Sequence, residues 1–106
     1  MTVRKEHYTD YVKHALRYYI RTTQKNPSEK PHFRTNADRA NWNASEAAMN
    51  DYDSFEQRMF YALYGGKDAL PHAVNQYAMR FSMDADRIWR MITDLERNVA
   101  RRRGLI

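Results

Sequence analysis

Apolar residues between positions 73 and 95 recur at intervals of three and four, with a single short interruption around Ser82. This spacing is typical of amphipathic helices, and the interruption leaves room only for a tight turn. A small residue, Ala78, stands where two helices joined in this way would cross. The stretch therefore predicts two short helices packed across a turn. Their expected inner surface consists of Tyr77, Ala78, Phe81, Met83, Ile88 and Met91.

The same helical period continues through the rest of the chain, and no alternation of apolar and polar residues is long enough for a strand. With 106 residues there is room for one domain with one core. We therefore expect an all-α, single-domain bundle of about five helices spanning residues 1–106. The expected helices lie at about 6–24, 36–49, 54–64, 71–81 and 84–103, with a loop at 26–34.

Each predicted helix has one apolar face that is expected to point inward. In the first helix this face comprises Tyr8, Tyr11, Val12, Ala15, Leu16, Tyr19 and Ile20. In the second it comprises Ala37, Ala40, Ala44, Ala47 and Ala48, with Trp42 and Met49 at its sides. In the third it comprises Phe55, Met59, Phe60 and Leu63. The many alanines of the second helix predict a close approach of a neighbouring helix.

Residues that favour helix ends mark the expected boundaries. Thr35 or Asn36 can cap the second helix, and Ser82 or Asp84 can cap the fifth. Gly65 is expected to end the third helix in the left-handed conformation. Ser82 suits the turn before the fifth helix if the backbone turns there without a positive φ, which glycine adopts more readily than serine.

The composition restricts the classes of function. The chain has no cysteine, which excludes disulfides, thiolate metal sites and cysteine nucleophiles and fits a reducing cytoplasm. No apolar run reaches the roughly 20 residues that span a bilayer, and the first residues lack the apolar core of a secretory signal. We expect a cytoplasmic protein without a membrane partner. The formal net charge of +5 favours polyanionic partners.

The C-terminal half combines a helix that ends in YGG, a loop with Asp68 and Pro71, two helices with helix-turn-helix spacing, and a basic tail. In this combination the segment 54–106 resembles the fourth conserved region of bacterial sigma factors. It is also similar to the small phage-encoded activators of late genes that share this unit. The resemblance implies a helix-turn-helix unit at about residues 71–103 and duplex DNA as the partner. Ser82 departs from the family pattern, which prefers glycine at the turn.

The resemblance makes the fifth helix the recognition helix, whose exposed N-terminal side would enter the major groove. Arg90 would then donate two hydrogen bonds to guanine, and Thr93 would contact a base or a phosphate. Arg80 and Arg87 would hold the phosphate backbone from the flanks. Trp89 has two interpretations, stacking on a base or packing within the core or an interface.

Two acids at the start of the fifth helix, Asp84 and Asp86, complicate base reading. Facing the duplex, each unpaired carboxylate would repel phosphates. In the first turn, both also satisfy free amides and complement the helix dipole, which explains them without DNA.

The densest basic run follows, with six arginines and two acids between positions 87 and 106. Its last four arginines are Arg97, Arg101, Arg102 and Arg103. A planar guanidinium donates two parallel hydrogen bonds to phosphate, so these residues suit the DNA backbone. The alternative is that they complement the dipole at the helix C-terminus and are otherwise solvated. A mixed surface of arginines and acids equally suits a protein partner.

Motifs of enzymes and cofactor sites are missing from the sequence, including the nucleophile elbow and the phosphate-binding loop. His7 and His14 lie about 10 Å apart along the first helix, too far to bind one metal ion without further ligands. Asp51 and Asp53 flank a turn and suit the capping of the third helix. We expect a non-enzymatic protein without a cofactor.

The leading hypothesis is a small DNA-binding transcription regulator of phage or prophage type, acting at a promoter alone or beside RNA polymerase. It would bind as a dimer more readily than as a monomer, because one recognition helix offers limited area. The alternative is a non-enzymatic helical protein-interaction module, including a homodimer. A continuous positive face containing Arg87, Arg90 and Arg101 favours DNA, whereas acids that interrupt this face favour a protein partner.

Overall fold

The chain folds into five helices in a computed structural model that describes residues 7–106. The helices are α1 (Thr9–Lys25), α2 (Asn36–Met49), α3 (Ser54–Gly65), α4 (Leu70–Phe81) and α5 (Ala85–Arg102). The described part of the chain contains no strand, so the predicted all-α class and the number of helices are confirmed. The predicted start of the first helix at Glu6 lies outside the described residues.

Helices α1 and α5 each contact three other helices. α1 packs against α2, α3 and α5, while α5 packs against α1, α2 and α4. The fully buried large side chains are concentrated on α1, α3 and α5, and include Leu16, Ile20, Phe60, Tyr64, Ile92 and Leu95. α4 lies at the edge of this arrangement between α3 and α5, and buries only Leu70 and Val74. Within residues 7–106, no helix combines the length and apolar character needed to cross a bilayer.

Side-chain caps fix the starts of three helices. The Thr35 hydroxyl accepts a hydrogen bond at 3.0 Å from the amide three residues on, which confirms one of the two expected caps of α2. Asp53 caps α3 in a reciprocal arrangement, because its carboxylate accepts from the Glu56 amide at 2.8 Å and the Glu56 carboxylate accepts from the Asp53 amide at 3.2 Å. Asp84 caps α5 by accepting from the Asp86 amide at 3.0 Å. The polar residues before each apolar stripe therefore mark the helix starts.

Three aromatic residues expected in the core are exposed. The Tyr11 hydroxyl donates to Asn41 on the surface of α2 at 3.1 Å. Phe55 lies in the first turn of α3, and its ring reaches an open groove beside α4. Phe81 stacks on Tyr77 outside the core, with ring centroids 4.4 Å apart. The predicted stripes were wrong at these positions because each ring lies at the edge of its stripe, where no neighbouring helix covers it.

The buried face of α2 includes two of the predicted alanines, Ala44 and Ala48, together with its large residues. Trp42 and Met49, expected at the sides, are almost fully buried, whereas Ala37 is exposed. The Trp42 ring makes edge contacts with Tyr19 at 4.8 Å and Phe33 at 5.9 Å between ring centroids. A ring of this size fills the space between α1 and α2 and turns the alanine stripe partly away from the core.

The end of α3 differs from the prediction. Gly65 is the last helical residue, and Gly66 after it is extended, with φ −80° and ψ 178°, so neither forms the expected left-handed cap. Two arginines of α1 bind the carbonyls there instead. Arg17 donates to the carbonyl oxygens of Gly66 at 3.3 Å and Asp68 at 3.1 Å, and Arg21 donates to Gly66 at 2.8 Å. These long-range donors satisfy the end of α3, so no left-handed residue is required.

Candidate nucleic-acid interface

A three-residue turn, Ser82 to Asp84, joins α4 to α5. Ser82 adopts the left-handed conformation, with φ 53° and ψ 42°, and is the only non-glycine residue with a positive φ among those the structure describes. The condition under which serine would suit this turn, a backbone without a positive φ, is therefore not met. The amide of Met83 donates to the Ala78 carbonyl at 2.9 Å, so the end of α4 closes in the geometry that glycine favours.

The residues that α4 and α5 bury are mostly not the ones that the apolar spacing predicted. Ile88 is fully buried as expected, but Tyr77, Ala78, Met83 and Met91 are only half-buried. The fully buried residues of the two helices lie closer to the start of α4 and farther along α5, at Leu70, Val74, Ile88, Ile92, Leu95 and Val99. This shift follows from the additional contacts of α5 with α1 and α2. The two helices are thus held by the whole bundle as well as by each other.

The outward side of α5 carries a row of arginines. The helix buries one side through Ile88, Ile92, Leu95, Glu96, Val99 and Ala100. Arg90, Arg97 and Arg101 are exposed on the opposite side, and their spacing of seven and four residues aligns them along the helix axis. The row spans about 16 Å at 1.5 Å per residue. We call these three residues the α5 arginine row.

Acids interrupt the positive surface on one side of the row. A depression of about 380 Å³ is lined by Arg87 and Arg90 together with Glu56 and Asp94. The Asp94 carboxylate accepts a hydrogen bond from the Tyr52 hydroxyl at 2.6 Å, which leaves its negative charge in place. Arg87 and Arg90 therefore both lie beside acids, and the continuous positive face expected of a DNA-binding helix is interrupted at this end of α5, which favours the protein-partner alternative there.

The last two arginines of the basic run have partners within the chain. Arg102 donates to Asp51 at 2.8 Å and to Asn98 at 3.0 Å, and the hydrogen bonds from Asn98 and Arg102 lower the pKa of Asp51 below its ordinary value. Arg103 donates to Asn41 on α2 at 2.6 Å. Asp51 thus anchors the end of α5. The sequence had suggested that Asp51 and Asp53 both cap α3, but only Asp53 does so.

Other predicted contacts of the recognition helix lie apart from the row. The Thr93 hydroxyl donates to the Trp89 carbonyl at 2.9 Å and is half-buried. Trp89 is also half-buried and packs against the core. Arg80 belongs to α4, where its guanidinium lies 5.3 Å from the centre of the Phe81 ring. The structure therefore groups Arg90, Arg97 and Arg101 and separates them from Arg80, Arg102 and Arg103.

Two features were missed from the sequence. The first is a buried pair between α3 and α5, in which the Tyr64 hydroxyl donates to Glu96 at 2.8 Å. Glu96 is 6% exposed, and its burial raises the pKa of the carboxyl. The helical period of α5 could have revealed it, because Glu96 follows Ile92 by four residues on the inward face.

The second missed feature is an open groove of about 840 Å³ between α3 and α4. Phe55, Met79 and Phe81 lie along it with 53%, 83% and 48% of their surface exposed. Met79 could have been flagged because it falls outside the inward stripe of α4 that contains Leu70 and Val74. We call this feature the α3–α4 groove.

Residues 7–106 contain no group of three or more histidines and acids placed to hold a metal ion. The chain matches no family model, and the comparisons with curated proteins and with solved structures give no match either. Function must therefore be inferred from the chain's own residues and their geometry.

Proposed function

We propose that this protein is a small DNA-binding transcription regulator that contacts duplex DNA through the outward side of α5. The single observation that carries the proposal is the α5 arginine row on a helix joined to α4 by a tight, left-handed turn. Helix pairs with such a turn can present their second helix to the major groove. The helix-turn-helix interpretation of residues 71–103 is part of the same proposal.

The rigidity of α5 supports this role. Its inward side is buried along more than three turns, from Ile88 to Ala100, so the outward side chains start from fixed positions. Within the described residues, Arg90 and Arg101 make no hydrogen bond or ion pair with the rest of the chain, so their guanidinium groups face solvent. Such donors suit phosphate oxygens, and the release of counterions from DNA would drive the association.

Most of the affinity should be independent of base sequence. Asp84 caps the start of α5 by accepting from the Asp86 amide, Thr93 bonds to its own helix, and Arg87 and Arg90 line a depression that also contains acids. Of the two residues that the resemblance assigned to base contacts, Arg90 is exposed, whereas Thr93 is half-buried. We therefore expect a strong, salt-dependent backbone component and a modest preference for sites with a guanine near Arg90.

A second molecule would extend the contact, since one short helix covers limited DNA surface. A homodimer on a two-fold site, alone or beside RNA polymerase at a promoter, is the assembly that we propose. A DNA partner would place the protein in the cytoplasm of a bacterial or phage-infected cell.

The proposal is tested by titrating the full chain with random-sequence duplex at two salt concentrations. With two phosphate contacts per chain, from Arg90 and Arg101, affinity should fall roughly 12-fold between 50 and 200 mM salt. Replacing Arg90 and Arg101 together by Ala should abolish most of this salt dependence, by about one unit of log–log slope for each lost contact. Arg90→Ala alone should also reduce any sequence preference.

A matched control removes the same type of residue elsewhere. Replacing Arg102 and Arg103 by Ala should leave the slope within about half a unit of the original, because both side chains bind within the chain. Absence of binding at 50 mM salt, or equal losses from the two sets of substitutions, would contradict the proposal.

A further inference from the structure

The α3–α4 groove exposes large apolar side chains that the bundle leaves uncovered. Phe55 on α3 and Met79 and Phe81 on α4 are all about half or more exposed. Single exposed apolar residues are common on protein surfaces, but several around one concave feature mark an interaction site. Methionine adapts its shape to different partners, and Met79 is the most exposed of the three.

Charge identifies the kind of partner. A guanidinium lies on each wall of the groove, from Arg58 on α3 and from Arg80 on α4, and within residues 7–106 neither forms an ion pair. The single acid that lines the groove is Asp68, in the connection between the two helices. The groove therefore combines exposed apolar side chains with one arginine from each of its two helices. A complementary ligand carries apolar side chains flanked by carboxylates.

The dimensions favour a helix as the ligand. α3 and α4 each contain 12 residues and extend for about 18 Å, so the groove accommodates about three turns of helix. An amphipathic helix places apolar residues along one face at spacings of three and four, with its charged residues at both edges of that face. This pattern fits a groove whose apolar side chains lie near Arg58 of α3 and Arg80 of α4.

We propose that the α3–α4 groove binds an acidic amphipathic helix of a partner protein. A second copy of this chain fits less well, because two grooves facing each other would bring their arginines together in a chain with a net charge of +5. The groove lies on α3 and α4, and its residues are distinct from the α5 arginine row. Protein binding here is therefore independent of the proposed DNA binding.

The test uses two synthetic helical peptides of about 16 residues with leucines at the same positions on one face. The flanking positions carry Glu in one peptide and Lys in the other, and binding to the full chain is measured by fluorescence anisotropy. We expect saturable binding of the Glu peptide, at least about tenfold tighter than that of the Lys peptide. Arg58→Glu combined with Arg80→Glu should reverse this preference.

Two controls separate the groove from general effects of charge and apolar surface. Lys25→Glu combined with Arg34→Glu changes the net charge equally, away from the groove, and should preserve the preference for the Glu peptide. Met79→Ser should weaken binding about tenfold, whereas Ile106→Ser, at another exposed apolar residue, should have no effect. Circular dichroism verifies that each variant remains helical.

Three results would overturn this inference. The first is no saturable binding of the Glu peptide, and the second is equal binding of the two peptides by the unmodified chain. The third is a dimer in sedimentation experiments that Met79→Ser disrupts, which would assign the groove to a second copy. Loss of DNA binding, in contrast, would leave this inference unaffected.

Discussion

Helices α4 and α5 lie on either side of the same three-residue turn, yet the bundle holds them very differently. α5 buries six residues, including Glu96, which accepts a hydrogen bond from Tyr64 on α3, whereas α4 buries only Leu70 and Val74. A helix anchored along its length presents side chains at fixed spacings, which suits the regular phosphates of a duplex. A helix with adaptable apolar residues on its surface suits a protein partner. The contrast is the reason for proposing two different kinds of recognition at adjacent helices.

The largest expected difference between the two helices is in stability. Leu95→Ala in α5 removes a fully buried side chain and should reduce the free energy of unfolding by about 3 kcal/mol. Met79→Ala in α4 removes an exposed side chain and should change the free energy of unfolding by less than about 0.5 kcal/mol. Urea denaturation of both variants measures the difference. Similar losses for the two would show that α4 is anchored as firmly as α5.

The buried Glu96 gives the anchoring of α5 a dependence on pH. Burial, its largest cause, raises the folded-state pKa of Glu96 above the ordinary value of 4.5, so the ionised carboxylate opposes folding at neutral pH. This cost is fully present above the raised pKa and disappears as the pH falls through it towards 4.5. Each unit of pKa elevation corresponds to about 1.4 kcal/mol.

Glu96→Gln removes the ionisation and keeps an oxygen that can accept from Tyr64. The variant should therefore gain stability relative to the original chain at pH 7, and this gain should shrink as the pH approaches 4.5. Urea denaturation between pH 4.5 and 7 measures the difference in free energy of unfolding between the two proteins. Titrating groups that both proteins share cancel in this difference. A difference that stays constant with pH, or grows on acidification, would contradict the assignment.

The smallest expected effect concerns the turn between the two helices. Ser82→Gly should stabilise the fold by about 0.5–1 kcal/mol, because glycine adopts the left-handed conformation without a steric cost. Ser28→Gly provides the control, since Ser28 does not have a positive φ, and it should be neutral or slightly destabilising. Thermal unfolding compares the two. Equal effects would indicate that the left-handed turn is not strained by serine.

The sequence predicted the helices and most of their starts because local interactions determine both. Apolar period identifies each helix, and Thr35, Asp53 and Asp84 cap residues only two or three positions away. The end of α3 escaped prediction because its carbonyls bind Arg17 and Arg21, more than forty residues earlier in the chain. No local pattern reports such a contact.

The candidate site could be predicted only in part for the same reason. Arginines on α5 were evident from composition and period, including Arg90 and Arg101. Only the fold shows that Arg102 turns back to Asp51 and that Phe55 meets α4 across an open groove. Which side chains face solvent depends on the neighbours of each helix, and those neighbours are set by tertiary packing.

DNA contact through α5 is tested most directly by an NMR titration of this isotope-labelled chain with random-sequence duplex at low salt. We predict the largest shift changes at Arg90, Arg97 and Arg101, with little change at Met79 and Phe81 in the α3–α4 groove. Changes concentrated at the groove, or no changes at the α5 arginine row, would contradict the account.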